Sequence, residues 1–413
     1  MGNKSIFSKQ SHTLELALLF LVSAGYVIVS AIAIPMHIGN SRILAVPFRI
    51  LVAAISLGVI FRRFQWKKVK QLAIWSFILF WIYYSIKAWR SFSTDDYDTE
   101  FVEIEIQVFI RIITIVFLPG LALMLIDYNK LNLQKLTHWI FGAFFVILAL
   151  NFVYMLGQYA VAGSFNDLFS LYYISAGHQA TSLALMSLFF LLSLPRDKKK
   201  SVYFIGLLLG IVSMVMMRAR GPFLALVVVS FYLVLLNRNR KLMIVYAILL
   251  LLAIVSIYEY GSKYPDSTAF ASRTYQWLFH GDTSLREPLY HRSWQIFNSS
   301  PVFGGRVLFE DGVYSHNLFL ELLMATGMVG FLLYFLKFYP VLKVSKIFVS
   351  KDSQYVGYIF FFILFLQYFV FVMTSSNLYR AGYFIQYTAI VIGIALSLKK
   401  NKEKQAAHNT VEK

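Results

Sequence analysis

The sequence predicts an all-α polytopic integral membrane protein with about twelve transmembrane helices and one large, partly helical external loop. Three observations lead there. Of 413 residues, 59% are apolar and only 14% charged, whereas soluble chains carry roughly a quarter charged residues. The 39 Phe, 26 Tyr and 7 Trp make 17% of the chain aromatic, which suits rings placed in lipid and at its interfaces. The chain also divides into apolar runs close to the roughly 20 residues that cross a bilayer. This composition excludes a disordered chain. With no cysteine, it also excludes a disulfide framework and any mechanism that needs a thiolate.

In chain order the apolar runs fall at about 13–34, 43–61, 71–89, 104–126, 137–157, 177–194, 202–217, 221–236, 242–258, 317–338, 354–373 and 381–398. The seventh and eighth are parted only by Arg218-Ala219-Arg220-Gly221-Pro222. Gly221 permits a tight turn there, and Pro222 is tolerated in a first helical turn, so a hairpin is expected. An even number of spans puts both termini on one side. If that side is the cytoplasm, 25 of the 38 Lys and Arg lie in or beside cytoplasmic segments, as the positive-inside rule requires. Most of the net charge of +18 therefore reflects topology and not a nucleic-acid partner. The first run is long enough to span and lacks a small-residue cleavage pattern, so no cleaved signal peptide is expected. One membrane domain over 1–398 is expected, followed by a short, polar, mobile tail at 399–413. The one long non-spanning segment, 259–315, is external and too rich in Trp and Phe for disorder.

Thirteen cations lie outside those cytoplasmic segments, and topology does not require them. Arg218 and Arg220 occupy the hairpin turn, and Arg273, Arg286, Arg292 and Arg306 the external loop. Arg49, Lys87 and Arg111 fall within or near the ends of spans, where a cation faces a cavity or partner, or snorkels to the interface. Ser284-x-x-Glu287 has the form of a capping box, so a helix is expected from there. Along it Arg286, Tyr290, Trp294 and Phe297 share one stripe, which draws Arg286 onto a buried face in need of an anion. His316, in Tyr314-Ser315-His316-Asn317, opens the tenth span with Glu321 one turn further on. A neutral imidazole there accepts a proton from a hydroxyl; its alternative is a capping or interfacial histidine. Gly327 and Gly330 lie deeper, where small residues let helices approach closely. Arginine forks suit phosphate oxygens, so the expected ligand is a lipid-linked pyrophosphate.

These residues resemble the O-antigen ligase and O-antigen polymerase superfamily of bacterial envelope glycosyltransferases. Arg218-Ala-Arg220-Gly221 is similar to that family's S-R-G-A turn. Arg286, Trp294, Pro301 and Gly304 fit its R-x(7)-W-x(6)-P-x-x-G loop pattern, and His316-Asn317 with Gly327 and Gly330 fits H-N-x(9)-G-x-x-G. The resemblance covers about 200–340. It implies a GT-C-like, metal-independent transferase of the bacterial cytoplasmic membrane with no cofactor. The active site would lie on the external face, and the donor would be an undecaprenyl-pyrophosphate-linked glycan. Arg220 and Arg286 would bind pyrophosphate and His316 would stand near the acceptor hydroxyl, as catalytic residues. Arg218, Arg292, Asn317, Glu321, Arg111, Arg49 and His178 are the expected substrate-binding residues. Of these, His178 in Ile174-Ser-Ala-Gly-His178 is similar to a histidine-bearing segment of some ligases. Arg218 departs from the family's small residue, leaving open which arginine of the pair meets phosphate.

The Tyr-Ser-His-Asn opening with Glu321 resembles polymerases, whose acceptor is another lipid-linked repeat unit; a ligase would use lipid A–core. A polymerase would have a chain-length regulator as a possible partner. Two rivals stand beside this reading. Asp96-Tyr97-Asp98 fits the D-x-D metal pattern of a metal-dependent transferase, although acid runs on outer loops are usually solvated. A flippase for the same lipid-linked sugars would favour internal repeats and broken midplane helices, and no repeat is evident.

Overall fold

The structure, a computed structural model, describes residues 12–33, 42–94, 105–162, 173–193, 200–282, 286–375 and 377–411. Helix makes up 84% of it, and no strand occurs among the described residues. Helix α1 runs over Thr13–Phe20, through a π-helical turn at Leu21–Gly25, into Tyr26–Ala33. It is followed by α2 (Arg42–Arg63) and α3 (Leu72–Thr94). Helix α4 is again composite: Glu105–Arg111, a π-helical turn at Ile112–Phe117, then Leu118–Leu125. Next come α5 (Leu133–Ala162), α6 (Tyr173–Ser193), α7 (Lys200–Met216), α8 (Arg220–Asn237) and α9 (Arg240–Lys263). The long loop carries α10 (Phe270–His280) and α11 (Arg286–Ser299). The bundle closes with α12 (Leu318–Leu336), α13 (Val356–Thr374) and α14 (Gly382–Val411).

Ten helices among the described residues are long and apolar enough to cross a membrane. Two shorter apolar helices, Thr13–Val29 and Lys200–Met216, coincide with the first and seventh predicted runs. The centre is α6 and the span of α14, each 78% buried, whereas the span of α9 is 6% buried and stands at the edge. Helices alternate in direction, so the N-terminal ends of α2, α4, α6, α8, α12 and α14 gather at the end that carries the long loop, here the loop end. At the opposite end a cation of the predicted inner loops caps a helix: Lys68 donates to the Leu125 carbonyl at 2.8 Å, where the dipole favours positive charge. Lys337, counted with the inner-loop cations, is instead buried, with Nζ 3.3 Å from the Tyr334 ring centroid. Nor does the chain leave helix at 399: α14 continues to Val411.

Helix α12 is broken, and the break organises the loop end. Gly327 has φ +61° and ψ −164° in mid-helix, a conformation open to glycine and strained for other residues. The chain at Pro301–Gly305 enters the gap. Gly305 N–H donates to the Met324 carbonyl at 2.8 Å, while Met328 and Val329 N–H donate to the carbonyls of Pro301 and Val302 at 2.9 and 3.1 Å. Backbone groups freed inside a membrane protein must be satisfied by protein, and here the loop satisfies them. Helix α3 clamps the same loop. Tyr83 Oη donates to the Phe303 carbonyl, and Lys87 Nζ to the Gly304 carbonyl, both at 2.8 Å. Lys87 is thus a loop anchor. Gly327 serves the break and the docked loop, where the sequence suggested helix–helix approach.

A Cβ at Gly304 would stand 2.4 Å from Thr326 N, and one at Gly327 2.5 Å from Gly304 N. Gly304→Ala and Gly327→Ala each add this backbone collision to the roughly 1–3 kcal/mol cost of holding a side-chain residue at a sparsely populated positive φ. Both should lower the melting temperature of detergent-purified protein and reduce the folded yield. A Cβ at Gly142 meets nothing within 4 Å, so Gly142→Ala should leave melting unchanged or raised. Equal melting of all three variants would show that the loop is not docked in the break.

Candidate active site

The turn between α7 and α8 is made by Arg218, not by Gly221. Arg218 takes a left-handed φ of +55°, and its side chain turns away to donate to Thr268 Oγ1 at 2.9 Å. Gly221 is needed for a different reason: a Cβ there would lie 3.1 Å from Thr374 Oγ1 and 3.7 Å from His178 Nε2. Pro222 sits in the first turn of α8 and is buried. Arg220, two residues past the left-handed turn, is thereby aimed into a cavity of about 210 Å³ lined by Arg220, Gly221, Trp277, Asp282, Arg286 and Thr374, among others.

Inside this cavity Arg220 is held by acceptors. Nη1 donates to Asp282 Oδ2 at 2.9 Å, to the Asp282 carbonyl at 3.1 Å and to the Arg273 carbonyl at 3.3 Å. Arg273 in turn donates to the Arg218 carbonyl at 3.0 Å, tying α10 to the turn. Arg286 opens α11 on the facing wall, and no acid among the described residues pairs with it. The positive charges of Arg273 and Arg286 both act on Arg220, so the cavity carries concentrated positive charge against the single Asp282 carboxylate. Capping residue Ser284 lies outside the described residues. The expected stripe along α11 is split: Arg286 and Tyr290 line the cavity, whereas Trp294 is 48% exposed and the one buried position is Ser293.

His316 reaches the same field from α12. Ser315 Oγ donates to the Asn317 carbonyl at 2.9 Å, and Asn317 Oδ1 caps α12 by accepting from Phe319 and Leu320 N–H at 3.0 and 3.2 Å. Between these two fixed residues His316 adopts a left-handed φ of +56°. Its ring lies 4.2 Å from that of Tyr314, with Nδ1 buried and without a partner. Burial, and then the charge of Arg286, push the imidazole down to about 4, so it is neutral at physiological pH. Arg286 therefore acts on both Arg220 and His316. Asn317 also donates from Nδ2 to the Met373 carbonyl at 3.4 Å, next to the cavity-lining Thr374.

The remaining expected residues divide. His178 is 2% exposed, with both ring nitrogens lacking partners; its Nε2 would lie 3.7 Å from a Cβ at the cavity-lining Gly221. Arg292 belongs to the loop's own framework: it pairs with Glu310, donates to Asp311 Oδ2 at 2.8 Å, and lies over the Phe309 ring. Arg306 also pairs with Glu310. Glu321 points inward, 1% exposed, and both carboxylate oxygens accept from Leu378 N–H at 2.9 Å. It fixes the α13–α14 turn against α12. Arg49 and Arg111 stand away from the cavity, beside Tyr26. No group of three His, Asp or Glu suited to a metal ion occurs among the described residues; Asp96-Tyr97-Asp98 lies outside them. Sequence reasoning missed Asp282, Trp277 and Thr374. The signal for Asp282 was slight: it follows Gly281, whose φ of +66° ends α10.

Residues 205–335, about a third of the chain starting at its midpoint, match the family model described as O-antigen ligase. The match contains the hairpin turn, the loop with α10 and α11, and His316, and it bears out the resemblance to the O-antigen ligase and polymerase superfamily. No curated protein matches the chain.

Asp282 holds one nitrogen of the Arg220 guanidinium, Nη1, at 2.9 Å. Asp282→Asn should strengthen binding of inorganic pyrophosphate several-fold by isothermal titration, because one like charge leaves the cavity. Weaker binding would mean that Asp282 serves to orient Arg220.

Proposed function

We propose, from the match to O-antigen ligase over residues 205–335, that this chain is a membrane glycosyltransferase that joins undecaprenyl-pyrophosphate-linked glycan units into a surface polysaccharide. One observation carries the reading: Arg220 and Arg286 line a single cavity, and the field of Arg286 extends to the imidazole of His316. Two guanidinium groups match the two phosphates of a diphosphate leaving group, with bidentate geometry available to each. The long loop docked between α3 and α12 fixes the cavity where a prenyl tail can remain in lipid while its glycan projects outward. The site then faces the exterior of the bacterial cytoplasmic membrane, with both termini cytoplasmic.

In the proposed reaction an acceptor sugar hydroxyl attacks the anomeric carbon of the donor. The new carbon–oxygen bond forms as the bond from that carbon to the diphosphate oxygen breaks, and the bonding pair leaves on undecaprenyl pyrophosphate. The hydroxyl proton passes to His316. Arg220 and Arg286 stabilise the charge that develops on the departing diphosphate, the electrostatic contribution that most often dominates such steps. Asp282 moves aside or shares Arg220 once the diphosphate is bound. Because that anion offsets the charge of Arg286, donor binding makes His316 a stronger base than it is in the empty site. A single displacement inverts the anomeric configuration.

The acceptor favoured here is a second lipid-linked repeat unit, which makes the enzyme a polymerase and a chain-length regulator a natural partner. The match to O-antigen ligase favours a second reading, in which lipid A–core is the acceptor and the enzyme is a ligase. A knockout separates them by glycan electrophoresis. A polymerase loss leaves one repeat on the core and no ladder. A ligase loss leaves uncapped core with lipid-linked polymer.

Arg220→Ala and Arg286→Ala should each lower polymer formation by at least about 100-fold, the usual cost of removing one oxyanion-stabilising group, with normal protein level in the membrane. Full polymer in either variant rejects the phosphate role. For the purified enzyme, kcat/KM reports the free-enzyme pKa. His316 is held down to about 4, so the rate should stay level as pH falls through the ordinary histidine range and decline only towards about 4. An acid limb near 6.5, the unperturbed imidazole value, would contradict the burial of His316 beside the charge of Arg286.

A further inference from the structure

Four consecutive carbonyls at the tip of the long loop all have donors. Those of Pro301 and Val302 accept from Met328 and Val329 N–H in the break of α12. That of Phe303 accepts from Tyr83 Oη, and that of Gly304 from Lys87 Nζ. The amides of Gly304 and Gly305 donate to the carbonyls of Ser300 and Met324, both at 2.8 Å. The side chains are arranged the other way: Val302 is 52% and Phe303 59% exposed. A loop in water hydrogen-bonds part of its backbone to solvent. Satisfied backbone beneath exposed apolar side chains is what hydrocarbon imposes on an irregular segment.

The depth of the tip agrees. Gly327, where the tip docks, is the middle residue of α12 (Leu318–Leu336), and Tyr83 is the middle residue of α3 (Leu72–Thr94). Both helices are long and apolar enough to cross a membrane, so the tip lies about 14 Å along the α12 axis from its loop end. Ile82 of α3 and Met328 and Val329 of α12, beside these anchors, are exposed as well.

Helix α11 is the limb that descends to this tip. At its start Arg286 and Tyr290 line the cavity. At its end it packs beside α12, where a Cβ at Gly305 would lie 2.7 Å from Ile296 Cγ2. The stripe of Arg286, Tyr290, Trp294 and Phe297 therefore begins in the cavity and ends within the depth of the bilayer. The rings of Trp294 and Phe297 are 5.2 Å apart, and Trp294 is exposed. One helix face thus joins a cationic head to a lipid-facing aromatic end.

We propose that Pro301–Gly305 is a re-entrant segment within the membrane, and that the face of α11 leading to it binds the polyprenyl chain of the donor, over Trp294 and Phe297. A chain anchored by its diphosphate at Arg286 starts on this face, and that tether favours it there over free acyl chains. The inference rests on the glycosyl-transfer reading of the cavity and adds the surface that meets the lipid of the donor.

Two measurements on the full-length protein in lipid nanodiscs test this. The chain has no cysteine, so single cysteines carry a nitroxide label without background. A label at Phe303→Cys should collide with oxygen in preference to a nickel chelate, like one at Leu252→Cys, an exposed residue in the middle of α9. A label at Asp266→Cys, exposed beyond the end of α9, should show the reverse. A Phe303 label that behaves like the Asp266 label overturns the re-entrant segment. Isothermal titration, corrected with empty nanodiscs, then compares farnesyl diphosphate with inorganic pyrophosphate. Trp294→Ala should weaken farnesyl diphosphate by at least about threefold, the worth of a few ring–chain contacts, and leave pyrophosphate unchanged. Phe297→Ala should act in the same way, and serves if Trp294→Ala does not elute as a single species. Equal loss for both ligands, or loss for neither, overturns the polyprenyl track and leaves the donor cavity standing. If neither ligand binds the unaltered protein, the donor cavity fails and the track with it, while the label still decides the depth of the segment.

Discussion

A guanidinium drawn partly out of water needs oxygen atoms around it, and the loop end of this bundle depends on how that need is met. Arg292 and Arg306 share Glu310, and Arg292 also holds Asp311, so the outer loop is pinned to itself. Arg220 has Asp282 together with two carbonyls. Arg286 has no acid among the described residues, and it lines the cavity with Arg220. The pairing is therefore complete in the framework and incomplete in the cavity. Surface ion pairs contribute little to stability, whereas an uncompensated charge in a confined site is an invitation to an anion.

Much of the irregular backbone stands toward the same end: the break at Gly327, the left-handed His316 and Arg218, and both π-turns, while the opposite end has the left-handed Arg238 that closes α8. Strained conformations persist only where their surroundings over-determine them. The docking of Pro301–Gly305 into α12 does this for Gly327. The Ser315 and Asn317 side chains do it for His316, and the Gln386 amide, which donates to the Ile115 carbonyl at 3.1 Å, does it for the turn after Arg111.

Much of this was legible in the chain. Apolar length located the spans, because a bilayer imposes the same requirement on every helix. The cations that topology did not need marked Arg220, Arg286, Arg49 and Arg111, because charge in a span is costly wherever it falls. Other features were not legible, for reasons of physical range. Gly327 reads as a small packing residue until the loop at Pro301–Gly305 is seen hydrogen-bonded across its break. Asp282 reads as a loop acid until α10 folds back on the turn at Arg218. Glu321 reads as a site carboxylate, but both its oxygens serve Leu378, which lies two helices away in the chain. Trp294 was expected on a buried stripe because helical spacing reports which residues share a face, not what that face meets.

The central claim is that Arg220 and Arg286 together grip a lipid-borne diphosphate. The most direct measurement is an electron cryo-microscopy structure of the purified protein with undecaprenyl pyrophosphate bound. The account predicts diphosphate density in the cavity between the two guanidiniums, within hydrogen-bonding distance of both, with Asp282 drawn off Arg220 and the prenyl tail leaving toward lipid. Diphosphate density elsewhere, with the Arg220–Asp282 pair intact, would contradict it.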